Sequence, residues 1–199
     1  MTRAGVALSS SDAYDAIVLA GGTARRLGGV DKPALVVGER SLLDRVLDAV
    51  AGAARVVVVG PARMTTRPVT WCRESPPGGG PVAAIAAGLR EVTADRVVVL
   101  AGDLPFVTPD VISALLDAAN GQNGVLLLDA DGRDQLLVGA WRADALRDAM
   151  PAEPSGARLG PLMTGLNPVR LGLQRLADVP PPWFDCDTED DLATARGLT

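Results

Sequence analysis

The chain has 199 residues, 48% of them hydrophobic and 22% charged, which fits one globular domain with a sizeable core and excludes a disordered chain. It contains no histidine, so Ser/His/Asp and Cys/His catalysis, histidine-ligated zinc or iron and imidazole proton shuttling are excluded. With 19 basic against 24 acidic residues, a net charge of −5 and only 3% aromatics, the chain repels polyanions and lacks stacking platforms, so no nucleic-acid partner is expected.

Residues 1–13 read as a flexible tail whose apolar stretch is too short for a secretory signal. No run approaches the roughly 18 apolar residues of a membrane span, so no membrane partner is expected and the location expected is cytoplasmic. Cys72 and Cys186 have no metal-ligand spacing and are too few for a disulfide framework; both are expected to be reduced. From Ala16 to Ala20 the sequence AIVLA is apolar at every position, as a strand buried on both faces requires. The same pattern recurs at Arg55 to Val59, Arg96 to Leu100 and Val125 to Leu128. Helical patterns lie between, over Leu42 to Ala51, Pro81 to Val92 and Pro109 to Ala119. The alternation predicts right-handed βαβ units in an α/β, three-layer α/β/α fold with a mostly parallel sheet. Further on, a strand over Asp134 to Trp141, a helix over Ala143 to Met150, a Pro/Gly-interrupted segment, a strand near Val169 to Leu173 and a helix from Glu189 break the alternation. An antiparallel portion is therefore expected in the C-terminal half.

The most informative segment is LAGGTARRLGGVDKPAL, Leu19 to Leu35. A buried strand runs into paired glycines at its carboxyl end, where open α/β sheets bind ligands. Glycines let backbone approach a ligand and offer N–H groups to anions, and Arg26 and Lys32 add two cations nearby. The pattern suits phosphate, yet the spacing of Gly21, Gly22, Gly28 and Gly29 is not GxGxxG, and Lys32 is followed by Pro33, which excludes a Walker A loop. A second segment, RVVVLAGDLPFVTP from Arg96, places Asp103 just beyond a buried strand at the same sheet edge. It reads either as a turn cap before Pro105 or as a ligand for Mg²⁺, which takes one or two carboxylates and completes its shell with water and phosphates.

The string LAGG…R.GG.DK resembles the signature of nucleotidyltransferases with a GT-A-like, Rossmann-type fold (nucleotide-diphospho-sugar transferase-like), most closely the molybdenum cofactor guanylyltransferase, or molybdopterin-guanine dinucleotide synthase, family. The resemblance runs along nearly the whole chain. It implies a single nucleotidyltransferase domain over 14–199, with a nucleotide-binding half (14–108) and an acceptor-binding half (109–199). It also implies transfer of GMP from GTP to molybdopterin with release of pyrophosphate and Mg²⁺ as cofactor. Transient contact with molybdenum cofactor delivery proteins or apoenzymes follows as an expectation. The implied nucleotide-binding residues are Leu19, Ala20, Gly21, Gly22, Arg26, Gly29, Lys32, Glu74 and Asp103, with Lys32, Arg26 and Asp103 catalytic and Asp103 a metal ligand.

Other segments continue the resemblance with departures. In SPPGGGPVAAIAAGL, Ser75 to Leu89, the loop follows Glu74 where the family usually has Asp; Glu74 either accepts hydrogen bonds from guanine or ribose or begins a linker into an alanine-rich helix. In FDCDTEDDL, Phe184 to Leu192, Asp185 and Asp187 stand where the guanylyl family commonly has Asn. Asp187 is then a second metal ligand beside Asp103, as in cytidylyl relatives, or part of a solvated acidic helix start opened by a Thr188/Asp191 capping box. In DGRDQLLVGAWR, Asp131 to Arg142, Arg133 either meets the acceptor phosphate or is an exposed turn residue, and Trp141 is expected in the core. LAGG rather than the LAAG of cytidylyl relatives favours guanine. Two alternatives remain open: another nucleotidyltransferase of the same fold, and a non-catalytic nucleotide-binding protein, which would need no metal carboxylate.

Overall fold

A computed structural model describes residues 13–21, 30–173 and 180–198. The tail expected over 1–13 lies almost wholly outside these residues, as do Gly22, Arg26 and Gly29.

The runs of valine and leucine form strands because β-branched and apolar side chains fill both faces of a covered sheet. The strands are β1 (Tyr14–Leu19), β4 (Arg55–Val59), β5 (Thr70–Cys72), β6 (Arg96–Ala101), β7 (Gly124–Leu128), β8 (Asp134–Arg142) and β9 (Val169–Gly172). They order as β5-β4-β1-β6-β8-β7-β9 in one seven-stranded sheet. Pairings β5/β4, β4/β1, β1/β6 and β7/β9 are parallel, while β8 runs antiparallel to both β6 and β7. A short hairpin, β2 (Val36–Val37) with β3 (Arg40–Ser41), stands apart from the sheet.

Successive side chains of each strand go to opposite cores, as a period of two demands. Ala16, Val18, Val58, Val98 and Leu100 pack on one face with Leu43, Val46 and Leu47 of α1 (Leu42–Ala49) and Ile112 and Leu115 of α3 (Pro109–Ala118). Ile17, Val57, Val59, Val97 and Val99 pack on the other with Ile85 of α2 (Pro81–Leu89), Leu146 of α4 (Ala143–Asp148) and Met163 of α5 (Leu159–Gly165). The result is the expected three-layer α/β/α arrangement. Trp141 is buried in the second core, as expected. The last helix, α6 (Glu189–Gly197), packs Leu192 and Ala195 beside Val37 and Leu42. No helix among the described residues is long and apolar enough to cross a membrane.

Three features differ from the sequence reading. The edge strand β5 spans three half-buried residues, too short to show a periodicity. The segment expected to be irregular contains α5, whose sequence LGPLMTG carries two glycines and a proline. The strand β8 is interrupted: Leu126 pairs with Gly139 but Leu127 with Gln135, so residues 136–138 of β8 bulge from the β7 ladder.

Candidate active site

Parallel pairing brings the carboxyl ends of the first-half strands level with one another. In the ladder Leu19 lies opposite Val59 on one side and Ala101 on the other, and these three residues floor a cleft of about 450 Å³. Gly21 and Asp103, each two residues beyond its strand, form part of its rim. Glu74, Gly78, Gly80, Pro81 and Ala84 line another side, and Leu137, pushed out by the β8 bulge, completes it. The glycine loop makes this wall because Gly78 and Gly80 adopt φ of 80° and 88°, a region that side chains with a Cβ disfavour. The turn is also fixed by a hydrogen bond from the Gly78 N–H to Glu74 Oε1 at 3.0 Å. Gly80 N-caps α2 without a side-chain cap, and Pro81 opens the helix where a missing N–H costs nothing.

A second, smaller cleft of about 200 Å³ adjoins the first, sharing Leu19, Gly21 and Asp103 and adding Lys32, Pro33, Gly102 and Asp187. Lys32 opens a one-turn 3-10 helix, Lys32–Ala34, whose Pro33 fixes the backbone. Its ammonium donates to Asp103 Oδ2 and, at 2.5 Å, to Asp187 Oδ1. Its side chain is 11% exposed, against 23% for Asp103 and 48% for Asp187. Burial lowers the Lys32 pKa, but the charges and hydrogen bonds of Asp103 and Asp187 outweigh it, so the pKa lies above the ordinary lysine value. Partial desolvation and the like charges of Asp187 and Asp103 raise the Asp185 carboxyl. Burial pushes the Cys186 thiol up to about 12, which leaves it protonated and inert. Both cysteines are free.

The expected residues therefore divide. Leu19, Gly21, Glu74 and Asp103 line the larger cleft, and Lys32, Asp103 and Asp187 meet in the smaller. Ala20 is buried; it lines neither cleft and is held by its N–H bond to the Val59 carbonyl at 2.8 Å. Asp103 engages Lys32, not a turn of its own. The acidic C-terminal segment serves two purposes: Asp187 reaches Lys32, while Thr188 and Asp191 form the capping box that starts α6. Arg133 is an exposed turn residue, 3.2 Å from Asp131 and outside both clefts. Leu137 and Arg63 were not signalled by sequence. Leu137 sits in an apolar strand with nothing to mark a bulge, and Arg63 is one of two arginines in the loop between β4 and β5.

Two carboxylates converging on one cation are a hard, all-oxygen donor pair, the set Mg²⁺ takes alongside water and phosphate. Among the described residues no group of three or more acidic, cysteine or histidine side chains forms a fuller cage. Asp103 and Asp187 are thus the residues that fit a divalent ion.

Residues 16–165 match the family described as the MobA-like NTP transferase domain. A relative from Bradyrhizobium sp. (strain ORS 278), named molybdenum cofactor guanylyltransferase, is 31% identical over 96% of this chain and 95% of its own. The solved structure of molybdopterin-guanine dinucleotide biosynthesis protein A from Archaeoglobus fulgidus superposes with a TM-score of 0.73 at 23% identity, covering 92% of this chain and 97% of that one. That of 2-C-methyl-D-erythritol 4-phosphate cytidylyltransferase from Thermus thermophilus superposes at 0.66 and 19%, covering 92% and 96%; both show a shared fold. The chain therefore belongs to the MobA-like NTP transferase family, a family of nucleotidyltransferases.

Proposed function

We propose that the protein is a magnesium-dependent guanylyltransferase that moves GMP from GTP to the terminal phosphate of molybdopterin and releases pyrophosphate. The observation that carries this reading is the meeting of Lys32, Asp103 and Asp187 beside Gly21, next to a cleft of about 450 Å³, within the range of small-molecule sites. The full-length relatives' name supports the choice of nucleotide and acceptor.

In this reading the larger cleft takes the guanosine. Leu19, Val59, Ala84 and Leu137 offer apolar wall to a flat base, and Glu74 offers carboxylate oxygens to base or ribose donors. The smaller cleft takes the triphosphate. The nucleophile is an acceptor phosphate oxygen, already anionic, so no general base is needed and a chain without histidine suffices. The obstacle is repulsion between anions. A unit charge pair 4 Å apart at an effective dielectric of 20 is worth about 4 kcal/mol, so the Lys32 ammonium offsets a substantial part of it. Arg26, outside the described residues, is assigned the second neutralising charge. The Gly21 backbone orients the phosphates, which fixes the line of attack on the α-phosphorus. Mg²⁺ held by Asp103 and Asp187 would withdraw charge from the phosphates and the leaving pyrophosphate. The half 109–199 is assigned to molybdopterin and to transient contact with proteins that receive the product.

The test is pyrophosphate release with each of the four nucleoside triphosphates, with and without molybdopterin and magnesium. Release is expected with GTP only when acceptor and metal are both present. Equal release with CTP, or release that ignores the acceptor, contradicts the reading.

A further inference from the structure

Arg63 lines neither cleft. It lies four residues beyond the end of β4, with a side chain only 11% exposed. Its Nε donates to Asp31 Oδ2 at 3.0 Å and its Nη2 to Oδ1 at 2.8 Å, a two-pronged fork on one carboxylate. Its Nη1 donates to the Ala20 carbonyl at 3.2 Å. The guanidinium carbon sits 5.8 Å from the centre of the Trp71 ring, on edge strand β5, which favours a cation over the ring face.

Asp31 is 52% exposed, and a two-pronged Arg–carboxylate fork adds to stability, but the backbone groups it reaches give it a second consequence. What the fork does is fix two backbone points on either side of 22–29. Ala20 already has its N–H held by Val59; Arg63 takes its carbonyl as well. The Ala20–Gly21 peptide is planar and trans, so a carbonyl fixed toward Arg63 turns the Gly21 N–H the opposite way, and Gly21 lines both clefts. Asp31 is the residue before Lys32 and N-caps its turn, yet its side chain makes no cap bond there; the carboxylate is given to Arg63 instead. One guanidinium thus ties the residue before Gly21 to the residue before Lys32.

We infer that Arg63 is a positioning residue for triphosphate binding, holding Ala20 and Asp31 so that Gly21 and Lys32 meet the phosphates together. The inference rests on the nucleotidyl-transfer reading above. It acts through the geometry of the fork, which lysine, a point charge, does not reproduce.

The experiment compares Arg63→Met, Arg63→Lys, Asp31→Asn and the Arg63→Met/Asp31→Asn double variant, measuring kcat, KM for GTP, KM for molybdopterin and the thermal midpoint. Arg63→Met is expected to lower kcat/KM for GTP by roughly 10- to 100-fold, the usual effect of a misplaced reactive geometry, with KM for molybdopterin unchanged. Arg63→Lys should resemble Arg63→Met, and the double variant should be no worse than Arg63→Met, because the two residues act as one unit. Wild-type kcat/KM for GTP per folded molecule in Arg63→Met overturns the inference. So does full recovery in Arg63→Lys, or a loss shared equally by GTP and acceptor and matched by the fall in thermal midpoint. If the wild-type protein turns over another nucleotide instead of GTP, the guanylyl reading fails, and the same comparison on that nucleotide decides the role of Arg63. Calorimetric binding of magnesium GTP reads the role without turnover: about tenfold weaker binding in Arg63→Met is expected, and an unchanged Kd overturns it.

Discussion

Lys32 holds together two carboxylates that would otherwise repel each other across the smaller cleft. Removing its ammonium takes away one cation for the triphosphate and leaves Asp103 and Asp187 uncompensated. Lys32→Ala should weaken GTP binding by about 1.5–3 kcal/mol, the cost of a lost charged hydrogen bond; titration calorimetry showing wild-type affinity would contradict the assigned role. Asp103→Ala should abolish metal-dependent pyrophosphate release while the far-ultraviolet circular dichroism stays that of the folded protein, and turnover near wild type would remove Asp103 from the site. A buried carboxylate elsewhere makes a different point. Burial would raise the pKa of Asp44, but hydrogen bonds from the Thr66 N–H, the Ser41 hydroxyl and the Thr66 hydroxyl, with the Arg40 charge, hold it below the ordinary value. A depressed folded pKa stabilises the protein above the unfolded value of about 3.9, and the contribution disappears as pH falls through the folded value. Asp44→Asn should therefore destabilise at neutral pH, as measured by urea unfolding, and the gap from wild type should narrow as pH falls below the unfolded value of about 3.9; a gap independent of pH would contradict this.

Among the elements, α6 and β7 carry the sharpest consequences. The Thr188 capping box begins α6 and sits immediately after Asp187. Thr188→Ala should cost about 1 kcal/mol of stability and raise the magnesium concentration needed for half-maximal activity, because Asp187 loses its fixed neighbour. An unaltered magnesium dependence would argue that Asp187 is held some other way. On β7, a Cβ at Gly124 would lie 2.1 Å from the Trp141 ring. Trp141 is 1% exposed and has nowhere to retreat, so Gly124→Ala should lose about 1–3 kcal/mol, read as a lower thermal midpoint. The strands β1, β4, β6 and β7 were legible through their central apolar runs, and α1, α2 and α3 through the helical patterns between those runs. The strand β5 and helix α5 were not, since three residues carry no period and the glycines and proline of LGPLMTG argue against a helix that tertiary packing nevertheless imposes.

At the scale of the whole molecule, the site follows from a sheet whose parallel strands end level. Leu19, Val59 and Ala101 stop at one rim, and the residues lining the two clefts are attached within a few residues of it or folded back onto it. Residues next to strand ends, such as Gly21 and Asp103, could be found by sequence because the apolar run announces where the rim is. Lys32 and Asp187 were found through motif resemblance; no sequence spacing brings together residues 155 positions apart. Leu137 and Arg63 escaped because a bulge and a loop arginine depend on register and packing that a linear pattern does not encode. The most direct measurement is a crystal structure of the protein with magnesium and a non-hydrolysable GTP analogue. The triphosphate is expected between the Gly21 backbone and Lys32, the metal on Asp103 and Asp187, and the base in the larger cleft beside Glu74. A triphosphate seated away from that rim would contradict the assignment of the site.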